Sequence, residues 1–495
     1  MLNKRVVVIG AGFAGLSAAT HLADQGYQVT LLEKNDTPGG RARKFETEGF
    51  VFDMGPSWYW MPDVFDTYFA HFGKKTADYY NLVRLDPSYA VIFGQDDFVN
   101  IPANPTEFRN LMEKMEPGVG PKLDEFLKQG AYKYKVGIQN LVYRPSRSIL
   151  EFVSPRLLLD MVHLNIFQSM SKHVREFFKA EKILRLMEFP VLFLGETAEN
   201  IPALYSLMNY ADISLGTWYP MGGMHKIIEG MVTLAEEKGV QIRYDCAVSK
   251  INVTNGKAES LTLSSGEKIE ADIIIAGADY HHVDTMLLAP ELRNYSPKYW
   301  DSRVMAPSSL LFYLGIDKKL ENLLHHNLFF DEPLGPHADA IYKNPRWPEK
   351  PLFYVSAPSV TDPSVAPDGK ENLFLLIPLA PDLVDTEELR EKYFNMIMDR
   401  LEKLTGQEIR SHIIYKRSYA LSDFKADYNA FKGNAYGLAN TLWQTAFLKP
   451  SLKNKKVKNL YYTGQLTVPG PGVPPSLISG HVVAKEVIKE YSLQK

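Results

Sequence analysis

Three glycines and a carboxylate carry the first legible chemistry. Gly10, Gly12 and Gly15 stand in GxGxxG spacing within RVVVIGAGFAGL, and Glu33 closes the run QVTLLE. Glycines so spaced make a tight turn, let backbone approach a pyrophosphate, and let a helix pack close to a strand. The helix then turns its positive end toward the phosphates. Glu33 stands where it can accept both hydrogen bonds of a ribose diol, which disfavours a 2′-phosphate. Ala14 and Lys34 are counted with this nucleotide site. The chemistry is the holding of a dinucleotide.

A second turn says which one. Gly39, Gly40 and Arg41 follow in NDTPGGRARKFETEGFVFDMGPS. Such a glycine turn with a cation reaches the pyrophosphate from the other side and extends the site toward a flavin, so FAD is expected rather than NAD. Arg43 either assists or is solvated. Gly55, with Pro56, would let backbone approach a flat ring. Asp53 is a flavin-side residue or a turn or cap residue. Trp58, Tyr59, Trp60 and Met61 come next, either as walls of an apolar substrate channel or as core aromatics.

Other chemistries lack their residues. No nucleophile elbow and no HExxH occurs, and Cys246 is the one cysteine, so no internal disulfide or CxxC pair exists. His281–His282 and His325–His326 are adjacent pairs, and neighbours on a strand point apart, so no metal site is expected. The cofactor is left to supply the reaction and the protein to orient it.

These residues need elements to position them. Val6 to Ile9 is a run for a strand buried on both faces, and Ala14, Ala18 and Ala19 suit a helix packed closely on it. Apolar spacing predicts a helix after Gly222 and Gly223, ended by Gly239, then a strand at Val240 to Arg243. Asn255–Gly256 predicts a hairpin, and Gly266 a further turn, giving a small antiparallel meander before the buried run Ile273 to Ala276. Val248 in that meander either covers an adenine or is a plain strand valine. Only one GxGxxG is present, so no second dinucleotide domain is visible, and electrons are expected to leave to oxygen, a quinone or another diffusing acceptor. SSLLFYLGI, LFYVSAP, NLFLLIPLA and IIYKRSYAL predict a largely antiparallel second sheet.

Residues 106–205 are expected to be mostly helical. Leu157, Leu158, Met161, Val162, Ile166 and Phe167 could share apolar faces, flanked by Arg147, Arg156, Lys172, Arg175, Lys179, Lys182 and Arg185. This is a helical subdomain with a solvated basic face, or a monotopic membrane-surface patch. The 495-residue chain is 45% hydrophobic and 23% charged with net charge −3. That is ordinary globular composition and supplies no bulk electrostatic case for nucleic acid. No signal-peptide pattern opens the chain and no apolar run of about 18 residues predicts a membrane span.

Taken together, VVVIGAGFAGLSAA, EKNDTPGGRA, FDMGPS, YPMGGM and NLYYTGQLTVPGPGVPPSLISG resemble the bacterial and fungal carotenoid desaturases, chiefly the phytoene desaturases, over nearly the whole chain. The last stretch resembles that family's C-terminal flavin signature. It departs from it at Val468, where His is usual, at Pro471, where a small residue is usual, and at Pro475, in place of Gly. The resemblance implies that Gly464 and Gln465 approach the ribityl and pyrophosphate chain. It also implies that Val473 and Pro474 open a helix whose N-terminal amides face the pyrimidine end of the flavin, where charge builds on reduction.

The implied fold is α/β: a Rossmann-type FAD-binding domain of the two-dinucleotide-binding type, an antiparallel-sheet substrate domain, and a helical, membrane-associated subdomain. The expected units are residues 1–75, 222–295 and 452–495 for FAD, 76–105, 206–221 and 296–451 for substrate, and 106–205 for the membrane contact. The implied activity is FAD-dependent desaturation of a C40 polyene by a protein that is cytoplasmic and peripheral on a membrane. The same motifs also suit 3,4-desaturation of hydroxylated carotenoids, or a saturase or isomerase. An amine oxidase would need a lysine near the flavin N5, which the sequence does not assign. A prenyl-binding chaperone of the same fold would lack the intact phosphate loop.

Overall fold

A computed structural model describes residues 4–148, Glu151 and residues 164–492. Arg156, Leu157, Leu158, Met161 and Val162 lie outside the described residues.

Five parallel strands form the central sheet in the order Leu460–Tyr462, Ile273–Ala276, Arg5–Ile9, Gln28–Leu32, Gln241–Arg243. Val6, Val8, Ile273, Ile274 and Leu460 are fully buried, because helices cover one face of the sheet and the meander residues Ile251, Ala258, Leu261 and Leu263 pack on the other. The first helix, Phe13–Asp24, crosses one face, and the last helix, Val473–Ser492, packs on it. Their approach depends on missing side chains. A Cβ on Gly15 would stand 1.9 Å from the Gly10 carbonyl oxygen, and one on Gly480 2.3 Å from that of Ala14. Ser17 Oγ donates to the Leu477 carbonyl at 2.8 Å across the same contact.

The meander forms as Val248–Thr254, Lys257–Leu263 and Lys268–Glu270, all antiparallel. The second sheet has seven strands, ordered Ile413–Tyr419, Ser308–Ile316, Glu371–Leu379, Phe353–Ser356, His326–Phe329, Tyr89–Gly94, Asp97–Ile101. It is mixed: His326–Phe329 pairs parallel with Tyr89–Gly94. Its last two strands, from residues 89–101, are far in sequence from the rest, so no local pattern could assign them. Ser308–Ile316 is buried along its whole length, since Glu387–Thr405 covers one face with Tyr393, Phe394, Ile397, Met398 and Leu401.

Hydrogen bonds tie the seven-stranded sheet to the two-stranded hairpin Lys44–Thr47 and Phe50–Asp53. Tyr313 Oη donates to the Met54 carbonyl at 2.8 Å and Asn372 Nδ2 to that of Val51 at 2.8 Å. Among the described residues, Pro105–Met115, Gly120–Val136, Met170–Phe177 and Glu181–Glu188 are the α-helices of the 106–205 region. Much of its basic face is paired: Arg147 with Glu486, Arg175 with Glu188, Lys182 with Asp97 and Arg185 with Glu181. The histidine pairs do not lie as expected. His281 and His282 sit in a helical turn, Tyr280–His282, and the rings of His325 and His326 are 4.5 Å apart because His325 precedes its strand.

Candidate active site

A cavity of about 650 Å³ runs from the carboxyl ends of the parallel strands to the face of the seven-stranded sheet. Ligands of open α/β sheets bind at that end of the strands. Gly10, Gly12, Ala14, Glu33 and Lys34 line it, as do Gly39, Gly40 and Arg41. Gly55, Pro56, Val248, Gly464, Gln465, Val473 and Pro474 complete the polar half. Gly15 does not reach the cavity. It lies behind the wall against Gly10, which is the reason for its missing side chain.

Each element brings its residue by local logic. Gly10 has φ +98°, a conformation open to glycine, and turns the chain from strand to helix. Gly12 caps that helix with no side-chain hydrogen bond, and nothing lies within 4 Å of where its Cβ would stand. The first-turn amides therefore face open cavity. Glu33 is buried. Its Oε2 accepts from Ala11 N–H at 2.8 Å, and its Oε1 accepts from the backbone and side-chain amides of Asn35, each at 3.0 Å. Three of about four lone-pair sites are thus filled, and one on Oε2 is left for a ribose hydroxyl. Lys34 Nζ is spent on the carbonyls of Ala426 and Asp427.

Arg41 is a half-buried cation lining the site. Burial pushes its guanidinium pKa down, while the Asp279 carboxylate holds it up. Its Nη2 donates to the Asn434 carbonyl at 3.3 Å, and the group lies 5.4 Å from the Tyr428 ring centroid. With its amide oxygen toward Arg41, Gln465 accepts from Nη2 at 2.9 Å and Nη1 at 3.1 Å. Arg41 Nε is buried without an acceptor. An orphaned donor on a half-buried cation, beside an uncapped helix end and a glycine loop with open space, fits a pyrophosphate. Arg43 instead pairs with Asp36 and Asp427, each at 3.6 Å.

Several residues have other duties than the sequence suggests. Gly55 lines the cavity, but a Cβ there would strike the Arg41 carbonyl oxygen at 2.5 Å; the constraint is the neighbouring turn. Asp53 is a cap: its oxygens accept from Met224 N–H at 2.7 Å and His225 N–H at 2.9 Å, at the start of His225–Glu237. Burial pushes its carboxyl up to about 6 against those two bonds. Pro474 and Pro475 have no N–H, and the Ser476 N–H bonds the Gly472 carbonyl at 3.0 Å. Val473 thus supplies the one first-turn amide without a described partner.

Trp58, Trp60 and Met61 line the apolar half together with Phe330, Leu352, Phe374 and Leu376. Tyr59 does not. Its side chain points the other way along the chain, its hydroxyl 2.9 Å from that of Tyr80 and its ring 4.5 Å from Phe65. Trp58 stacks on His326 at 4.1 Å and 10°. Asp279 and the segment from Asp427 to Tyr436 also contribute to the wall and were not singled out from sequence. Asp279 follows the end of the buried strand Ile273–Ala276 much as Glu33 follows its own strand, and that position was the available signal. The 427–436 segment has no such signal, because tertiary folding alone brings it beside Arg41.

Comparison with known proteins agrees with this geometry. Residues 13–488 match the family model described as flavin containing amine oxidoreductase. The chain is 40% identical over 491 residues to a carotenoid 3,4-desaturase of Haloarcula japonica, covering 99% of both chains. It is 33% identical to a zeta-carotene-forming phytoene desaturase of Myxococcus xanthus, covering 98% of this chain and 94% of the other. It is 30% identical to a phytoene desaturase of Fusarium fujikuroi, covering 99% and 90%. Among solved structures, an oxidoreductase from Methanosarcina mazei superposes with TM-score 0.64 at 17% identity, covering 97% of this chain and 100% of that one. A redesigned putrescine oxidase does so with TM-score 0.60 at 13% identity, covering 99% of both. With an α/β fold, a cavity built for FAD and a match over nearly its whole length, this chain is an oxidoreductase that belongs to the family of flavin containing amine oxidoreductases.

Proposed function

We propose that the chain is an FAD-dependent carotenoid desaturase, most simply a phytoene desaturase, acting on CH–CH bonds of a C40 polyene. The observation that carries this reading is one continuous cavity. It joins the Gly12 and Arg41 end to a long wall of Trp58, Trp60, Phe330, Leu352 and Phe374, and carotenoid desaturases are among the full-length relatives. Gly10, Gly12, Gly39, Gly40 and Arg41 would hold the pyrophosphate, Glu33 the ribose, and Gly464, Gln465 and Val473 the flavin end. When bound, the flavin supplies a two-electron acceptor for a hydride from carbon. The protein's part is to align the polyene along the apolar wall. A second reading, 3,4-desaturation of a hydroxylated carotenoid, is favoured by the 40% identity to the Haloarcula japonica relative.

The segments 1–75, 222–295 and 452–495 are assigned to one FAD-binding unit, 76–105, 206–221 and 296–451 to the substrate unit, and 106–205 to a helical unit. Among the described residues no helix is long and apolar enough to cross a membrane. A peripheral position on a membrane surface is supported by exposed apolar side chains: Phe167 at 82%, Trp443 at 78%, Phe447 at 39% and Leu448 at 38%. Gln444 holds the loop carrying the last three, through bonds of 2.9 and 2.8 Å to the Val304 backbone. With no second dinucleotide fingerprint, oxygen or a quinone is the expected electron acceptor.

The test is anaerobic. FAD-loaded protein is mixed with phytoene in vesicles, the flavin band is followed, and the pigment is extracted. Bleaching with longer polyene bands supports phytoene desaturation. Bleaching only with a hydroxylated carotenoid supports the second reading, and no bleaching with either overturns both.

A further inference from the structure

Behind the tryptophan wall lies a buried carboxylate that the site description does not use. Asp212, on the turn Tyr210–Ser214, is 3% exposed. Its Oδ1 accepts from Thr217 Oγ1 at 3.1 Å and its Oδ2 from Tyr89 Oη at 2.7 Å. Thr217 Oγ1 in turn accepts from the indole Nε1–H of Trp60 at 2.8 Å. Thr217 is fully buried and Tyr89 nearly so. The chain Trp60–Thr217–Asp212 thus runs from the cavity wall to an acid inside the protein.

The direction of the chain is settled by its members. An indole nitrogen can only donate. Thr217 Oγ1 therefore accepts from Trp60 and spends its single proton on Asp212. An ionised Asp212 satisfies this order, and a protonated one must turn one of its two bonds around. Burial pushes the Asp212 carboxyl up to about 7, against the two bonds it accepts. On the strand facing it, Tyr89 is the titratable group. On the packed helix Gly120–Val136, Lys133 is bonded to His173, Ser206 and the Ala203 carbonyl, and Tyr134 to Asp63.

We propose that Asp212 is a positioning residue for polyene oxidation: through Thr217 it fixes the Trp60 indole and makes the wall more negative where the polyene becomes electron-poor. This rests on the desaturase reading. Loss of a hydride from an allylic carbon would need a two-electron acceptor, which bound oxidised flavin would supply. Positive charge then spreads over the polyene until a proton leaves the neighbouring carbon for water. An aromatic face stabilises such a cation. A carboxylate at the far end of a hydrogen-bond chain polarises the members between. Trp58, 5.2 Å from Trp60 and 5.4 Å from Tyr89, is held against the same network.

The variants are Asp212→Asn, which keeps the shape and removes the charge, and Thr217→Val, which cuts the chain and leaves the charge. In the FAD-loaded enzyme, kcat for the carotenoid is expected to rise through pH 7 in the wild type. Both variants should lower the plateau about tenfold, or about 1.4 kcal/mol, with KM within about twofold and no pH step. Independently of turnover, the Trp60 indole NMR resonance should titrate near pH 7 in the wild type and stay still in both variants. Wild-type kcat and pH profile retained in either folded variant, or an indole signal that titrates unchanged, overturns the proposal alone. A wild type that oxidises no carotenoid removes the desaturase reading and this role with it. If Asp212→Asn fails to fold, Thr217→Val with both readouts decides.

Discussion

Nε2 of His21 lies 2.7 Å from Nδ1 of His481, across the contact between the first helix and the last. His21 Nδ1 is 2.7 Å from the Ser17 carbonyl oxygen, to which it donates. Its Nε2 must then accept, and His481 Nδ1–H donates. His71 lies nearby, its ring 4.7 Å from that of His21 and tilted to it. The order needs a neutral His21, whose Nε2 accepts. Burial, helped by His71 and Lys485, pushes His481 down to about 4, and burial with His481 pushes His21 well below its ordinary value.

Acid should loosen this contact. A histidine whose folded pKa lies below its unfolded value of about 6.5 binds fewer protons when folded. Its contribution is complete above about pH 6.5 and is lost as pH falls toward 4 and below. For His481 this is on the order of 3 kcal/mol. Thermal melts from pH 7 to 4 should show a falling Tm, and His481→Asn, which still donates, should flatten the fall. Other buried histidines, such as His325 and His337, keep the remaining slope. An unchanged slope in the variant would count against the assignment.

Arg41 should trade stability for binding. A buried donor without an acceptor costs folding energy, and Arg41 Nε is one, so Arg41→Met is expected to raise the Tm of the FAD-free protein. The same change should weaken FAD binding about a hundredfold, near 3 kcal/mol. Arg41→Lys should fall between, since an ammonium lacks the planar fork. Fluorescence titration of apoprotein with FAD reads the affinity. A loss of both stability and affinity would mark Arg41 as a packing residue instead.

Gly12 and Gly15 should respond differently to the same methyl group. Gly12 has φ −81° and open space at its Cβ position, so Gly12→Ala should fold with apo stability within about 0.5 kcal/mol and still lose FAD. Gly15→Ala meets the Gly10 carbonyl and should lose several kcal/mol through overpacking or fail to fold. Equal behaviour of the two variants would show that no phosphate approaches Gly12.

Trp443→Ser with Phe447→Ser tests the membrane face. Both side chains are exposed, so the folded protein should keep its Tm within about 2 °C. Sedimentation with anionic vesicles should fall severalfold, because interfacial binding scales with buried apolar area. Unchanged sedimentation would move the contact elsewhere.

Residues near one another in sequence were the legible ones. Val6 to Ile9 with Gly10, Gly12 and Gly15, the buried strand before Glu33, and the hairpin at Asn255–Gly256 each form from local spacing and turn chemistry, so a sequence determines them. The same holds for the Gly39–Gly40–Arg41 turn and the Pro/Gly loop after Gly464. What only the tertiary structure decided lies between distant segments. Tyr59 turns from the cavity that Trp58 and Trp60 face, because alternating side chains leave the sequence silent on which side is the wall. Gly55 is required by a carbonyl from Arg41, and Asp53 by a helix that begins at His225. Arg41 lies among Asp279, Tyr428, Asn434 and Gln465, and Trp60 is linked through Thr217 to Asp212. Such contacts are set by how the two sheets pack, a non-local outcome of burial that no residue's neighbours in the chain encode.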